Sequence, residues 1–318
     1  MIVWETLMTI LFYTQIPEEK KQQFEHIAGT EMIFCDKDTI TDEMLEDAEV
    51  IFGNPTFDQI SKCRNLKWIQ LNSAGANTYK DLDMDIQLTN ASGAYGTAIS
   101  EHILACVLMV QKNLARYLDL QKAHEWINLG SVHTITTSKV LCIGMGDIGS
   151  NVARRMHALG AEVIGIRRNV HDKPDYVSAL YTMKDIDSLL PEADIVTLSL
   201  PETEETIHMF DERRLRLMKP GSILVNVGRG SAIVTNDLVK VMKDEHLAGV
   251  CLDVTDPEPL PKNHALWNTK HVYITPHISG RFNAEVTLDL VLNIFRINLA
   301  HYMNGEPLEH VVDRTIGY

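Results

Sequence analysis

Short unbroken apolar runs alternate along this chain with longer stretches in which apolar residues return at helical spacing. Apolar runs bounded by turn residues are the pattern of strands buried on both faces, and the longer period is that of helices with one apolar stripe. "MIFCD", "VIFG", "LKWIQLNS" and "IQLTN" read as strands, as does Thr9 to Tyr13, and Glu18 to Ala28 reads as a helix stopped by Gly29. "TAISEHILACVLMVQKNLARYL" puts Ile103, Cys106, Val107, Val110, Leu114, Tyr117 and Leu118 on one helical face and predicts a single long connector. A second series follows in "KVLCIG", "AEVIGI", "ADIVTLSLP", "SILVNVG", "LAGVCLDV" and "HVYIT". A last helix, roughly Ala284 to Met303, carries a stripe of Leu288, Val291, Leu292, Phe295 and Leu299. Strands alternating with helices predict an α/β protein with parallel sheets.

Composition narrows the partners. The 318 residues, 45% of them hydrophobic, suffice for two domains of ordinary size. With 43 acidic against 29 basic residues the overall field repels phosphate backbones and anionic membranes, so neither nucleic acid nor a membrane is expected. A pocket arginine still accommodates a small anion. Cys35, Cys63, Cys106, Cys142 and Cys251 are scattered, without a CxxC pair, and several sit in apolar runs where a small hydrophobe serves. They suggest neither a disulfide framework nor a metal site and point to a reducing, cytoplasmic setting. The opening "MIVWETLMTILFYTQIPEE" lacks a basic start and is interrupted by Glu5, so it is read as an extension leading into the first strand, with Met8 an alternative start. No run approaches the length of a membrane span.

In "LCIGMGDIGS" an apolar strand runs into Gly144, Gly146 and Gly149, followed by the helix "SNVARRMHALG" and the strand "AEVIGI". In such a βαβ unit the first glycine permits the tight turn, the second admits a pyrophosphate, and the third allows close helix-to-strand contact. Asp147 is an odd neighbour for a phosphate unless its side chain turns away. An acid at the end of the second strand would accept hydrogen bonds from an adenosine ribose and mark NAD. Here that place holds Arg167 and Arg168, and the strand's acid, Glu162, is at its other end. Guanidinium groups suit a 2′-phosphate, which favours NADP over NAD.

Three later strands end in polar residues: Arg229 in "SILVNVGRGS", Glu258 between Pro257 and Pro259, and His277 in "HVYITPHISG". Ligands bind beyond the carboxyl ends of strands in open parallel sheets, so these residues can converge on the reactive end of the cofactor. Hydride delivery to a 2-oxo acid needs a proton donor for the ketone oxygen, which His277 can be. It also needs a carboxylate to hold that imidazole in one orientation, for which Glu258 is the candidate, and a guanidinium to fix the substrate's own carboxylate, for which Arg229 is. His264, His271 and His301 read as surface or packing residues. Upstream, "LNSAGANTY" offers Ser73, Ala74, Gly75 and Ala76, small residues whose amides can approach a substrate carboxylate.

Taken in order, "NSAGAN", "GMGDIG", "NVGRGS", "LDVTDPEPLP" and "ITPHISG" make the chain resemble the D-2-hydroxyacid dehydrogenases over nearly its full length. The resemblance implies a Rossmann dinucleotide-binding domain over about residues 100–284 and a smaller flavodoxin-like substrate domain over 1–99 and 285–318. It implies closure over the ligands, and a homodimer held through the cofactor domain. It gives Arg229 the substrate carboxylate, His277 the acid/base role and Glu258 the partnering of that histidine. Cofactor contacts are implied for Gly144, Gly146, Asp147, Ile148, Gly149, Arg167, Arg168, Leu200, Pro201, Thr206, Val227, Gly228, Asp253, His277 and Gly280. With arginine at 167 the chain is most similar to NADP-preferring glyoxylate, hydroxypyruvate and related 2-oxoacid reductases. Two alternatives are an NAD-dependent version of the same reaction and a nucleotide-sensing interaction protein like the family's corepressors.

Overall fold

The apolar runs form two parallel sheets in a computed structural model that describes residues 7–82 and 85–314. The amino-terminal extension, for residues 1–6, lies outside the described residues. The chain divides into two compact units, Met1–Ala94 with Leu288–Tyr318, and Tyr95–Thr287.

The first unit holds β1 (Met8–Tyr13), β2 (Thr30–Cys35), β3 (Val50–Gly53), β4 (Trp68–Gln70) and β5 (Gln87–Thr89) in the order β2-β1-β3-β4-β5. This is the doubly wound order of flavodoxin-like sheets. One face of this sheet packs an aromatic cluster and the other an aliphatic one that includes Leu11, Ile51 and Ile69. Phe12 packs on Phe24, Phe34 and Phe52, and Phe295 from the helix Glu285–Asn304 sits against Phe12, Phe24, Phe52 and Trp68. The stripe read from sequence, Leu288, Val291, Leu292, Phe295 and Leu299, is buried throughout. The helix expected over Glu18 to Ala28 is helical only over Glu18–Lys21. Beyond it the amides of Gln23 and Phe24 bond three residues back, a tighter winding that turns Phe24 into the aromatic core.

The second unit holds β6 (Lys139–Ile143), β7 (Glu162–Ile166), β8 (Ala179–Tyr181), β9 (Ile195–Leu198), β10 (Ile223–Asn226), β11 (Gly249–Leu252) and β12 (Val272–Ile274). Their order, β12-β11-β10-β9-β6-β7-β8, is that of a Rossmann sheet extended by one strand, and the order reverses between β6 and β9. Inner strands β9, β10 and β11 are buried at every residue, because helices cover both faces. β8 escaped the sequence reading: it is a three-residue edge strand, largely half-buried, with too short a run to show a period.

The expected single connector is two helices, Gly96–Gln111 and Leu114–Lys122, broken where Asn113 takes a left-handed backbone (φ 54°). The break turns the second helix out of the stripe. Ile103 and Val107 are fully buried, whereas Leu114 and Leu118 are exposed. No helix among the described residues is long and apolar enough to cross a membrane.

Candidate active site

The glycine loop follows β6. Gly144 adopts φ 99°, and a Cβ there would lie 2.7 Å from the Ser199 carbonyl oxygen, so only glycine makes this turn. At Gly149 a Cβ would fall 1.7 Å from the Gly144 carbonyl oxygen, which is the close helix-to-turn approach expected of the third glycine. Gly146 differs: its Cβ would meet nothing within 4 Å. No protein atom requires glycine there, and the open space at the start of the twelve-residue helix Asp147–Ala158 suits an approaching anion. Asp147 resolves its own oddity. Its carboxylate turns away to accept hydrogen bonds from the Gly96 amide (2.7 Å) and from Asn151 (3.0 Å), capping the first turn of Gly96–Gln111. Ile148 beside it is half-buried.

Arg167 and Arg168 are the first residues past β7, at the same strand end as the glycine loop, whose Gly144 amide donates to Ile166 O at 3.1 Å. Leu200 and Pro201 follow β9. The buried Thr206 hydroxyl is engaged within its own loop, donating to Pro201 O at 2.8 Å and accepting from the Thr203 amide at 2.8 Å. A Cβ on Gly228 would lie 2.7 Å from Leu200 O, so Gly228 lets the β9 and β10 ends close on each other. Val227, buried, donates its amide to Leu198 O. Gly280 packs beside Ile99 and Tyr95.

Arg229, Glu258 and His277 come from the ends of β10, β11 and β12, adjacent parallel strands in which Asn226, Leu252 and Ile274 are paired in register. Asn226 sets the Arg229 turn: its Nδ2 donates to Arg229 O (2.9 Å) and its Oδ1 accepts from the Gly228 amide (3.1 Å). A Cβ on Gly230 would sit 2.0 Å from Thr255 O, so this turn lies directly on the loop that carries Glu258. Glu258 Oε1 is 2.7 Å from His277 Nδ1, both side chains being partly exposed. With a carboxylate as acceptor, Nδ1 carries the hydrogen, and Nε2 is the nitrogen directed to other chemistry.

Asp253 was read from the resemblance as a cofactor contact. The structure turns it inward, 2% exposed, where its carboxylate accepts from Thr275 Oγ1 (2.6 Å), from the amides of Ile278 and Ser279 (3.0 Å each) and from the Ser279 hydroxyl. Burial pushes its pKa up, but the bonds from Ser279, Thr275 and the two amides outweigh that and hold the carboxyl below its usual range. Its backbone carbonyl also accepts the His277 amide at 2.8 Å. His277 itself has φ 51°, a left-handed conformation unusual for a residue with a side chain, and these bonds to Asp253 hold it there. Sequence reasoning missed this clamp, as well as the roles of Thr275, Ser279 and Asn226.

The Ser73–Ala76 loop follows β4 in the first unit. Ser73 Oγ donates to Gly75 O (2.8 Å), Asn90 Nδ2 to Ala74 O (2.9 Å) and the Ala91 amide to Ser73 O (2.9 Å), while Ala76 is buried. Among the described residues no cluster of His, Cys, Asp and Glu could hold a metal ion.

The NAD-binding domain of the D-isomer specific 2-hydroxyacid dehydrogenases matches residues 104–279, more than half of the chain. The chain belongs to this family. A glyoxylate reductase of Thermococcus gammatolerans is 33% identical over 242 residues, 73% of this chain and 70% of that one. A D-isomer specific 2-hydroxyacid dehydrogenase family protein of Aeromonas salmonicida has a similar structure, at a TM-score of 0.89 and 28% identity over 97% of this chain and all of that one. An NADPH-dependent glyoxylate/hydroxypyruvate reductase from Sinorhizobium meliloti, solved with NADP and sulfate, aligns at a TM-score of 0.85 and 26% identity over 98% of this chain and 100% of that one. This 2-hydroxyacid dehydrogenase is therefore an NAD(P)-dependent oxidoreductase, and the glycine loop, with its open space at Gly146, fits the dinucleotide.

Proposed function

We propose that the protein is an NADPH-dependent reductase that converts small 2-oxo acids into D-2-hydroxy acids. The observation that carries the reading is the 2.7 Å bond between Glu258 and His277 at the ends of strands adjoining the Arg229 turn. NADPH, when bound, supplies the hydride that the ketone carbon takes up. As that carbon is reduced its oxygen gains basicity, and His277 Nε2 delivers the proton while Glu258 keeps the ring oriented and stabilises the imidazolium before transfer. Arg229 pairs with the substrate carboxylate and so places the carbonyl. For the first unit the reading assigns substrate contact to the backbone of Ser73, Ala74, Gly75 and Ala76. The net reaction takes up one proton from solvent per turnover, through His277.

Arg167 and Arg168, standing where an NAD enzyme of this fold carries an acid, support the 2′-phosphate form of the cofactor. The Sinorhizobium meliloti relative was solved with that form. We also assign a homodimer through the second unit, where Leu114, Leu118, Trp126, Ile127 and Val132 are exposed apolar residues close in sequence. A cytoplasmic location suits five free cysteines.

The test mixes purified protein with NADPH or NADH and a panel of glyoxylate, hydroxypyruvate, pyruvate and branched 2-oxo acids, following loss of nicotinamide absorbance. Turnover with NADPH exceeding that with NADH is the expected result. Binding of NADPH with no turnover across the panel overturns the reductase reading in favour of a nucleotide-sensing role.

A further inference from the structure

Two cysteines that the proposed chemistry does not use are brought together by a close helix-to-strand approach. Gly249 opens β11 without a side chain; a Cβ there would be 2.7 Å from Val110 Cγ1, so helix Gly96–Gln111 lies against the strand at this point. One helical turn before Val110 is Cys106, and two residues along the same strand face is Cys251. The thiols meet as a result. Cys251 Sγ lies 3.9 Å from Cys106 O, which brings the two cysteines side by side.

One further turn back on the same helix is His102, whose Nε2 lies 3.4 Å from Thr275 Oγ1 and whose imidazole acts electrostatically on Cys106. Thr275 is one of the donors to Asp253, whose carboxylate clamps the His277 segment. His102, Cys106, Cys251 and Thr275 line a cavity of about 500 Å³, from which a small solute can reach the half-buried Cys106, with Cys251 buried behind it.

This setting separates Cys106 from the other cysteines. The bond from Cys251 and the neighbouring His102 hold its thiol below the ordinary thiol range, while Cys106 and burial push Cys251 well above it. Cys35, Cys63 and Cys142 are buried and pushed up to about 11, 11 and 12, so they are poor nucleophiles.

We propose that Cys106 is a peroxide-reactive site with Cys251 as its resolving thiol, and that oxidation of the pair lowers turnover through Thr275 and Asp253. The Cys106 thiolate attacks one peroxide oxygen, the O–O bond breaks, and the departing hydroxide takes a proton to become water. Cys106 is thereby oxidised by two electrons to a sulfenic acid and the peroxide is reduced. Cys251 then gives up its proton, its sulfur attacks that of Cys106, and the S–O bond breaks to release a second water and leave a disulfide. A sulfur in a disulfide no longer serves His102 as a thiolate partner, and the imidazole against Thr275 loses its hold. The effect on turnover rests on the reductase reading; the thiol chemistry does not.

The test treats the full-length protein with hydrogen peroxide and maps oxidised and dimedone-labelled peptides by mass spectrometry. Cys106 should react at least about tenfold faster than Cys35, Cys63 and Cys142. A Cys106–Cys251 linked peptide should accumulate, and Cys251→Ser should stop at a Cys106 sulfenic acid trapped by dimedone. Cys106 reacting no faster than the buried three overturns the site, a result read on the unmutated protein. Where a substrate turns over, peroxide should lower kcat, dithiothreitol should restore it, and Cys106→Ala should be insensitive. A disulfide that forms with kcat unchanged overturns the coupling to His277. Should no substrate turn over, the reductase reading fails while the peptide maps still decide the thiol site.

Discussion

In the first unit, the fully buried Asn298 of the terminal helix donates to Gln70 Oε1 and to Glu309 O, and Gln70 in turn accepts from Thr89. In the second, Asp253 and Asn226 are equally buried, but their partners are the loop residues around His277 and Arg229. Both sheets are parallel and doubly wound, and both hide polar side chains that must be hydrogen-bonded to be tolerated. In the first, Asn298 and Gln70 fasten the returning end of the chain to its strands. The second uses its buried polar groups to hold loops in conformations that the backbone resists, as at His277. Burial alone therefore does not distinguish a residue that stabilises from one that positions; the identity of its partners does.

Substitutions can break or sharpen that contrast. His277→Gln should lower kcat by roughly 10²–10⁴-fold with little change in thermal unfolding, since it removes a proton donor from an exposed ring and no core contact. Phe295→Ala should do the reverse, costing about 3–5 kcal/mol in denaturant titration because four aromatic neighbours lose their partner, while NADPH affinity of the folded protein stays as it was. A smaller pair separates the buried polar groups. Asp253→Asn and Asn298→Ala should each cost about 1–3 kcal/mol, but only Asp253→Asn should also depress kcat; equal kinetic losses would refute the contrast. Smallest in effect on the fold, Arg167→Asp should raise the KM for NADPH by roughly tenfold or more, leave unfolding unchanged, and spare NADH.

Much of the candidate site was legible because parallel α/β proteins put chemistry at strand ends, and the strand ends are marked by where apolar runs stop. Gly144, Arg167, Arg229 and His277 stand at or just past such stops, and Glu258 lies in the loop that follows one. The break at Asn113 was missed because the apolar stripe continues in phase past it to Leu114 and Leu118, which outweighed the readiness of asparagine to take a left-handed turn. The role of Asp253 was hidden for a different reason. Its partners lie 22 to 26 residues away, across a strand crossover, so no local spacing connects them.

From residue order alone came the α/β class, the nature of the glycine loop, the basic pair after β7 and the polar residues that candidate chemistry requires. All of these depend on local periodicity or on residue type at a run's end. Folding in three dimensions settled which carboxylate faces His277 and which is buried beneath it, where the Asp147 side chain points, and that two scattered cysteines touch. Those outcomes depend on strand register and on how closely a helix can approach a sheet, which are set by packing between distant segments.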